Sequence, residues 1–101
     1  MTEQQFNQII EWQNEIFPKA TSLSKATHLL EEVKELRYDL MAGYPSRRNE
    51  FADCFILLFG SAASDGMSYQ DICNAIDEKM KINRERKWGN PDKNGVVHHI
   101  K

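Results

Sequence analysis

Residues 28–36 read HLLEEVKEL, and the fold turns on how that stretch is understood. Leu29, Leu30, Val33 and Leu36 recur at helical spacing, with no glycine or proline to interrupt them. Extended outward, Leu29, Val33, Leu36 and Leu40 form one stripe in steps of four, three and four, which predicts a helix over about 23–41. Thr21, Ser22 and Ser24 offer its N-caps. Gly43 suits a left-handed C-terminal position, and Pro45 blocks continuation. The same nine residues carry Glu31, Glu32 and Glu35, crowded into five positions.

The flanking segments repeat the helical pattern. Phe6, Ile9, Ile10, Ile16 and Phe17 make an apolar stripe over about 3–17, stopped by Pro18. Ser46 is placed to cap a third helix, about 47–64. Its middle, FADCFILLFGSAA, is apolar nearly all round and calls for cover on every side. A small chain cannot supply that cover alone, so self-association is expected. Ser68 with Asp71 three residues on, and Met67 with Ile72 as a hydrophobic staple, mark the start of a fourth helix. It is expected to run over about 69–88 and to end at Gly89 and Pro91. The tail 89–101 is polar, with a turn at Asn94-Gly95 and no strand pair expected. The reading is one all-α domain, a four-helix bundle.

Bulk properties narrow the function. With 101 residues, 41% hydrophobic and 28% charged, the chain has the make-up of a small globular domain. A net charge of −2 gives no reason to expect a nucleic-acid polymer as partner. The apolar run at Phe55–Phe59 is too short to cross a membrane, and Glu3, Gln4 and Gln5 stand where a signal peptide would be basic and then apolar. Cys54 and Cys73 lack metal-ligand spacing and read as buried free thiols of a cytoplasmic protein.

The acids carry the chemistry. At 100° per residue Glu32 and Glu35 fall beside the apolar stripe of helix two, His28 and Asp39 extend that edge, and Glu31 points toward solvent. Glu50 and Asp53 repeat the i, i+3 spacing on the apolar third helix, where a carboxylate needs a cation. The short connection near Gly43–Pro45 makes helices two and three an antiparallel hairpin. Glu35 and Glu50 each lie roughly two turns from that loop, at ~1.5 Å per residue, so both pairs reach similar heights. Oxygen-only donors suit Mg²⁺, with Mn²⁺ as the alternative. A di-iron bundle would want Glu-x-x-His, which is absent here. A solvated acidic face is the ordinary alternative for the helix-two glutamates. A non-catalytic helical module that binds nucleotide or protein is the alternative for the whole chain.

Glu31-Glu32-x-x-Glu35, then 14 residues, then Glu50-x-x-Asp53 resembles the EExxE…ExxD signature of MazG-like all-α nucleoside triphosphate pyrophosphohydrolases. Lys79-x-x-x-Asn83-x-x-Arg86-Lys87-Trp88-Gly89, Asp92, Gly95-Val96-Val97-x-His99, and Trp12 with Phe17-Pro18-x-Ala20-Thr21 are similar to the MazZ-type dATP/dGTP diphosphohydrolase branch of phages and bacteria. The resemblance implies that Glu32, Glu35, Glu50 and Asp53 hold Mg²⁺ against the triphosphate. Glu31 completes the motif as a second-layer group or base, and Glu35 is a further catalytic candidate. Lys79, Asn83 and Arg86 would share a helical face toward the phosphates, with Trp12 at the base and Lys25 at a phosphate. Trp88 is a second stacking candidate. The implied reaction is water attack at the α-phosphorus of a purine deoxynucleoside triphosphate, giving monophosphate and pyrophosphate, by a homodimer or dimer of dimers.

Overall fold

A computed structural model describes residues 1–101. Four helices account for most of it: α1 (Glu3–Ile16), α2 (Ser22–Ala42), α3 (Arg47–Ser64) and α4 (Tyr69–Glu85). Two compact units divide the chain, Met1–Gln70 and Asp71–Lys101.

In the first unit, local chemistry sets where each helix begins and ends. Thr2 accepts the Gln5 N–H at 3.1 Å and starts α1. Thr21 and Ser24 form a reciprocal box at the head of α2: Ser24 N–H donates to Thr21 Oγ1 at 3.0 Å, and Thr21 N–H to Ser24 Oγ at 2.8 Å. Gly43 closes α2 at φ 72°, a left-handed conformation that costs little only without a Cβ. The Tyr44 N–H returns to the Asp39 carbonyl at 3.0 Å. Ser46 stands at the N-cap of α3 but makes no side-chain cap there. Its hydroxyl donates to Asp39 Oδ2 at 2.6 Å instead, fastening the loop to the end of α2.

That loop folds α3 back along α2. At the far end of the hairpin, Ser22 Oγ donates to the Ser61 carbonyl and Ser61 Oγ to the Ser22 carbonyl, both at 2.8 Å. Small side chains let the two backbones approach there. Lys25 Nζ adds a bond to Ser64 Oγ at 2.8 Å. Helix α1 lies against α3 through Phe6, whose ring meets Phe59 edge-on at 6.1 Å. Phe6, 4% exposed, is the sole buried apolar side chain. The stripe expected to form the core of α2 is correspondingly open: Val33 is 44% and Leu40 48% exposed. Periodicity identifies an apolar face, but only the surroundings decide whether it is covered.

In the second unit the expectation of a strand-free tail fails. Helix α4 ends at Glu85, three residues before Trp88, and Lys87–Trp88 pairs antiparallel with His99–Ile100. The Trp88 indole N–H donates to the Asn83 carbonyl at 2.9 Å, taking up one acceptor that a longer helix would use. Asp92 organises the return: its Oδ1 accepts the N–H groups of Asn94 (2.8 Å) and Val96 (3.0 Å), with Gly95 at φ 79°. These bonds hold the Asp92 carboxyl below the usual carboxylate range, with His98 at 3.4 Å contributing in the same sense. Two residues per strand is below what hydrophobic periodicity can register.

Candidate active site

The α2–α3 hairpin brings Glu32, Glu35 and Glu50 together, with one carboxylate oxygen from each inside a 4.8 Å circle. Steps of one turn put Glu32 and Glu35 on the same face of α2, and the antiparallel return of α3 presents Glu50 to them. Asp53, one turn further along α3, borders the same site and lines a cleft with Glu32, Trp12, Phe17 and His28. Glu31 is exposed and outside the cluster.

The electrostatics of this arrangement are unfavourable in the absence of a cation. Burial first, then the neighbouring Glu35 charge and a hydrogen bond with its side chain, push the Glu32 carboxyl up. Desolvation, followed by the charges of Glu35, Glu32, Asp39 and Asp53, pushes Glu50 up as well. Some relief comes from His28, whose Nε2 lies 3.2 Å from Glu32 Oε1. Glu50 Oε2 is enclosed and has no hydrogen-bond partner. A carboxylate with an orphaned oxygen beside two more carboxylates fits a hard divalent cation, which would supply the missing partner. Cys54 is not part of such a donor set: burial and the surrounding carboxylates raise its thiol pKa, and both cysteines are free and half-buried.

The other sequence candidates lie on or beside α1, α2 and α4. Trp12 is 49% exposed and meets Phe17 edge-on at 5.6 Å, forming one wall of the cleft. Lys25 is 6% exposed, and its ammonium is bound to Ser64, eleven residues past Asp53 or about 16 Å along the helix. It serves the C-terminal end of α3, where a cation complements the helix dipole. Lys79 and Asn83 stand one turn apart on α4, in the second unit, and Arg86 falls just beyond the helix end. Trp88 is engaged by Asn83 and lies edge-on to His99 at 6.0 Å. Sequence reasoning missed Gln13 and Gly60. Gln13 interrupts the apolar stripe of α1 at a core position, and Gly60 sits inside a helix; both signals were present.

A family model described as dATP/dGTP pyrophosphohydrolase matches residues 5–101. The chain belongs to that family. It is therefore a hydrolase of nucleotide phosphoanhydride bonds, acting on nucleoside triphosphates. Among solved structures it is similar to the MazG-like pyrophosphohydrolase of cyanophage S-2L, at 30% identity and a TM-score of 0.79. That match covers 100% of this chain and 99% of the other, whose structure was solved with dGDP and three catalytic Mn²⁺ ions per active site. No curated protein matches the chain significantly. The all-α MazG-like architecture read from the sequence agrees with both findings.

Proposed function

We propose that this chain hydrolyses purine deoxynucleoside triphosphates, dGTP and dATP, to the monophosphate and pyrophosphate at the α2–α3 hairpin. The observation that carries this reading is the convergence of Glu32, Glu35 and Glu50, with one Glu50 oxygen enclosed and without a hydrogen-bond partner. Glu32, Glu35, Glu50 and Asp53 hold Mg²⁺ or Mn²⁺ through their carboxylate oxygens. When bound, the divalent cation offsets the triphosphate charge and acidifies the attacking water.

The chain's own groups do the rest. Glu35, or alternatively Glu31, accepts the proton of the water as its oxygen bonds the α-phosphorus. The bond from that phosphorus to the bridging oxygen breaks, and pyrophosphate leaves with the electron pair. The resemblance, rather than the geometry, supports Lys79, Asn83 and Arg86 as phosphate ligands. The base enters the cleft bordered by Trp12 and Phe17, since that cleft opens directly beside Glu32 and Asp53.

Self-association completes the reading. Phe51, Phe55 and Leu58 of α3 are each more than 40% exposed, and Phe55 with Phe59, Ile9 and Met1 borders an apolar groove against α1. A second copy, as a homodimer or within a dimer of dimers, covers this face. No helix is long and apolar enough to cross a membrane, and a dissolved nucleotide substrate favours the cytoplasm as the working compartment.

A panel of nucleoside triphosphates, assayed for pyrophosphate with Mg²⁺ and again with EDTA, tests the activity. Metal-dependent pyrophosphate release, greatest for dGTP and dATP, is expected. Orthophosphate release, or nucleotide binding without turnover, overturns the assignment. Light scattering that gives a monomer mass at micromolar concentration rejects the oligomer.

A further inference from the structure

Gln13 is the largest fully buried side chain in the protein, at 1% exposure. Its Nε2 donates across the helix pair to the Ile56 carbonyl of α3 at 2.8 Å, while its Oε1 is enclosed with no partner. That donor contact fixes the amide: turning it over would set two carbonyl oxygens face to face. The Oε1 lies against Gly60, and a Cβ there would overlap the Gln13 carboxamide.

Two choices here are locally unfavourable. Glycine in mid-helix is destabilising relative to alanine, and a buried carbonyl without a donor is costly. Each makes sense only in the presence of the other, since Gly60 opens the space that Gln13 fills. Departures of this kind from local preference concentrate at functional sites.

The position of the contact says what it serves. Gln13 is flanked in α1 by Trp12, and Ile56 lies one turn past Asp53 in α3. Gln13 also lines two hollows that share Phe17, His28 and Leu57: one of about 150 Å³ beside Glu32 and Asp53, and one of about 220 Å³ bordered by Ser24 and Lys25. Residues of α1, α2 and α3 line the hollow beside the carboxylates, and this amide is a polar tie between α1 and α3.

We propose that the Gln13–Ile56–Gly60 contact is a positioning device for the nucleotide. It fixes the separation of α1 from α3 and thereby the width of the slot that receives the base beside the carboxylates. Gln13 touches neither base nor phosphate in this role; it acts through Trp12 and Phe17. The inference rests on the proposed placement of the base.

Two variants separate positioning from stability. Gln13→Met keeps the length of the side chain and removes the donor. In Gln13→Ala/Gly60→Ala the new methyl at 60 occupies room the amide vacated and improves helix propensity, so Tm recovers while the tie stays cut. The expected result for both is a KM for dGTP raised about tenfold, with kcat changed much less. Inhibition by inorganic tripolyphosphate, which carries no base, stays at the wild-type level. An unchanged KM in Gln13→Met overturns the proposal. So does a KM that returns to normal along with Tm in the double variant, which would make the contact merely structural. Tripolyphosphate inhibition that weakens in step with dGTP overturns it too. Wild-type protein that releases no pyrophosphate sinks the activity itself, a failure visible before any variant is made.

Discussion

Replacing Glu32 by glutamine is expected to stabilise the protein without metal and to weaken it with metal, a reversal of sign that few substitutions produce. In the folded chain the Glu32 carboxylate has Glu35 and Glu50 within 4.8 Å. At that separation the repulsion from Glu35 alone is about 1 kcal/mol, taken at the dielectric of water because the site is partly exposed. Repulsion from Glu50 adds in the same sense. The ion pair with His28, a residue whose side chain is 51% exposed, is lost in the variant and subtracts a few tenths, about 0.3 kcal/mol. In EDTA near neutral pH, Glu32→Gln should therefore melt above wild type by roughly 3–6 °C, given the size of the chain. In excess Mn²⁺ the wild type gains stability as ligand binding draws the folded state, by about 2.7 kcal/mol at a hundredfold excess over Kd. The variant, short of one ligand oxygen, should gain far less, so the order of the two melting temperatures inverts. Differential scanning calorimetry in both buffers reads both effects. A variant that melts below wild type in EDTA, or gains as much from Mn²⁺, would refute the idea that these acids are held together against their charge.

Further expectations follow from the same geometry. Glu32 and Glu50 both have folded carboxyl pKa values raised above the ordinary 4.5, so the metal-free folded chain binds protons more tightly than the unfolded one. Their favourable contribution is complete below 4.5 and is lost as pH rises through the raised values. The Tm of wild type relative to Glu50→Gln in EDTA should accordingly fall across that range, and Mn²⁺ should reverse the trend because it takes the deprotonated ligands. Lys25→Met keeps the buried stem but removes the ammonium bound to Ser64 Oγ at the end of α3; a loss of about 1 kcal/mol is expected in denaturant unfolding.

Much of this protein is legible in one dimension. The helical periodicity of HLLEEVKEL, Gly43 before Pro45, and the paired i, i+3 acids on two consecutive helices together imply a hairpin that gathers carboxylates. Backbone geometry is a local property, and a tight connection makes the register of two helices nearly local as well. Glu32, Glu35 and Glu50 meet for that reason.

What lies further apart in the chain was decided only by the fold. Lys25 has the chemistry of a phosphate ligand, yet packing turns its ammonium to Ser64. Ser46 has the chemistry of a cap, yet Asp39 takes its hydroxyl. The end of α4 and the short ribbon depend on Trp88, Asn83 and Asp92 finding one another across a turn. Gln13 and Gly60, 47 positions apart, are each a poor local choice and become a good pair only when α1 meets α3. Sequence determines which groups a helix carries and on which face; hydrogen bonds and steric exclusion between distant segments determine which of those groups stay free to act.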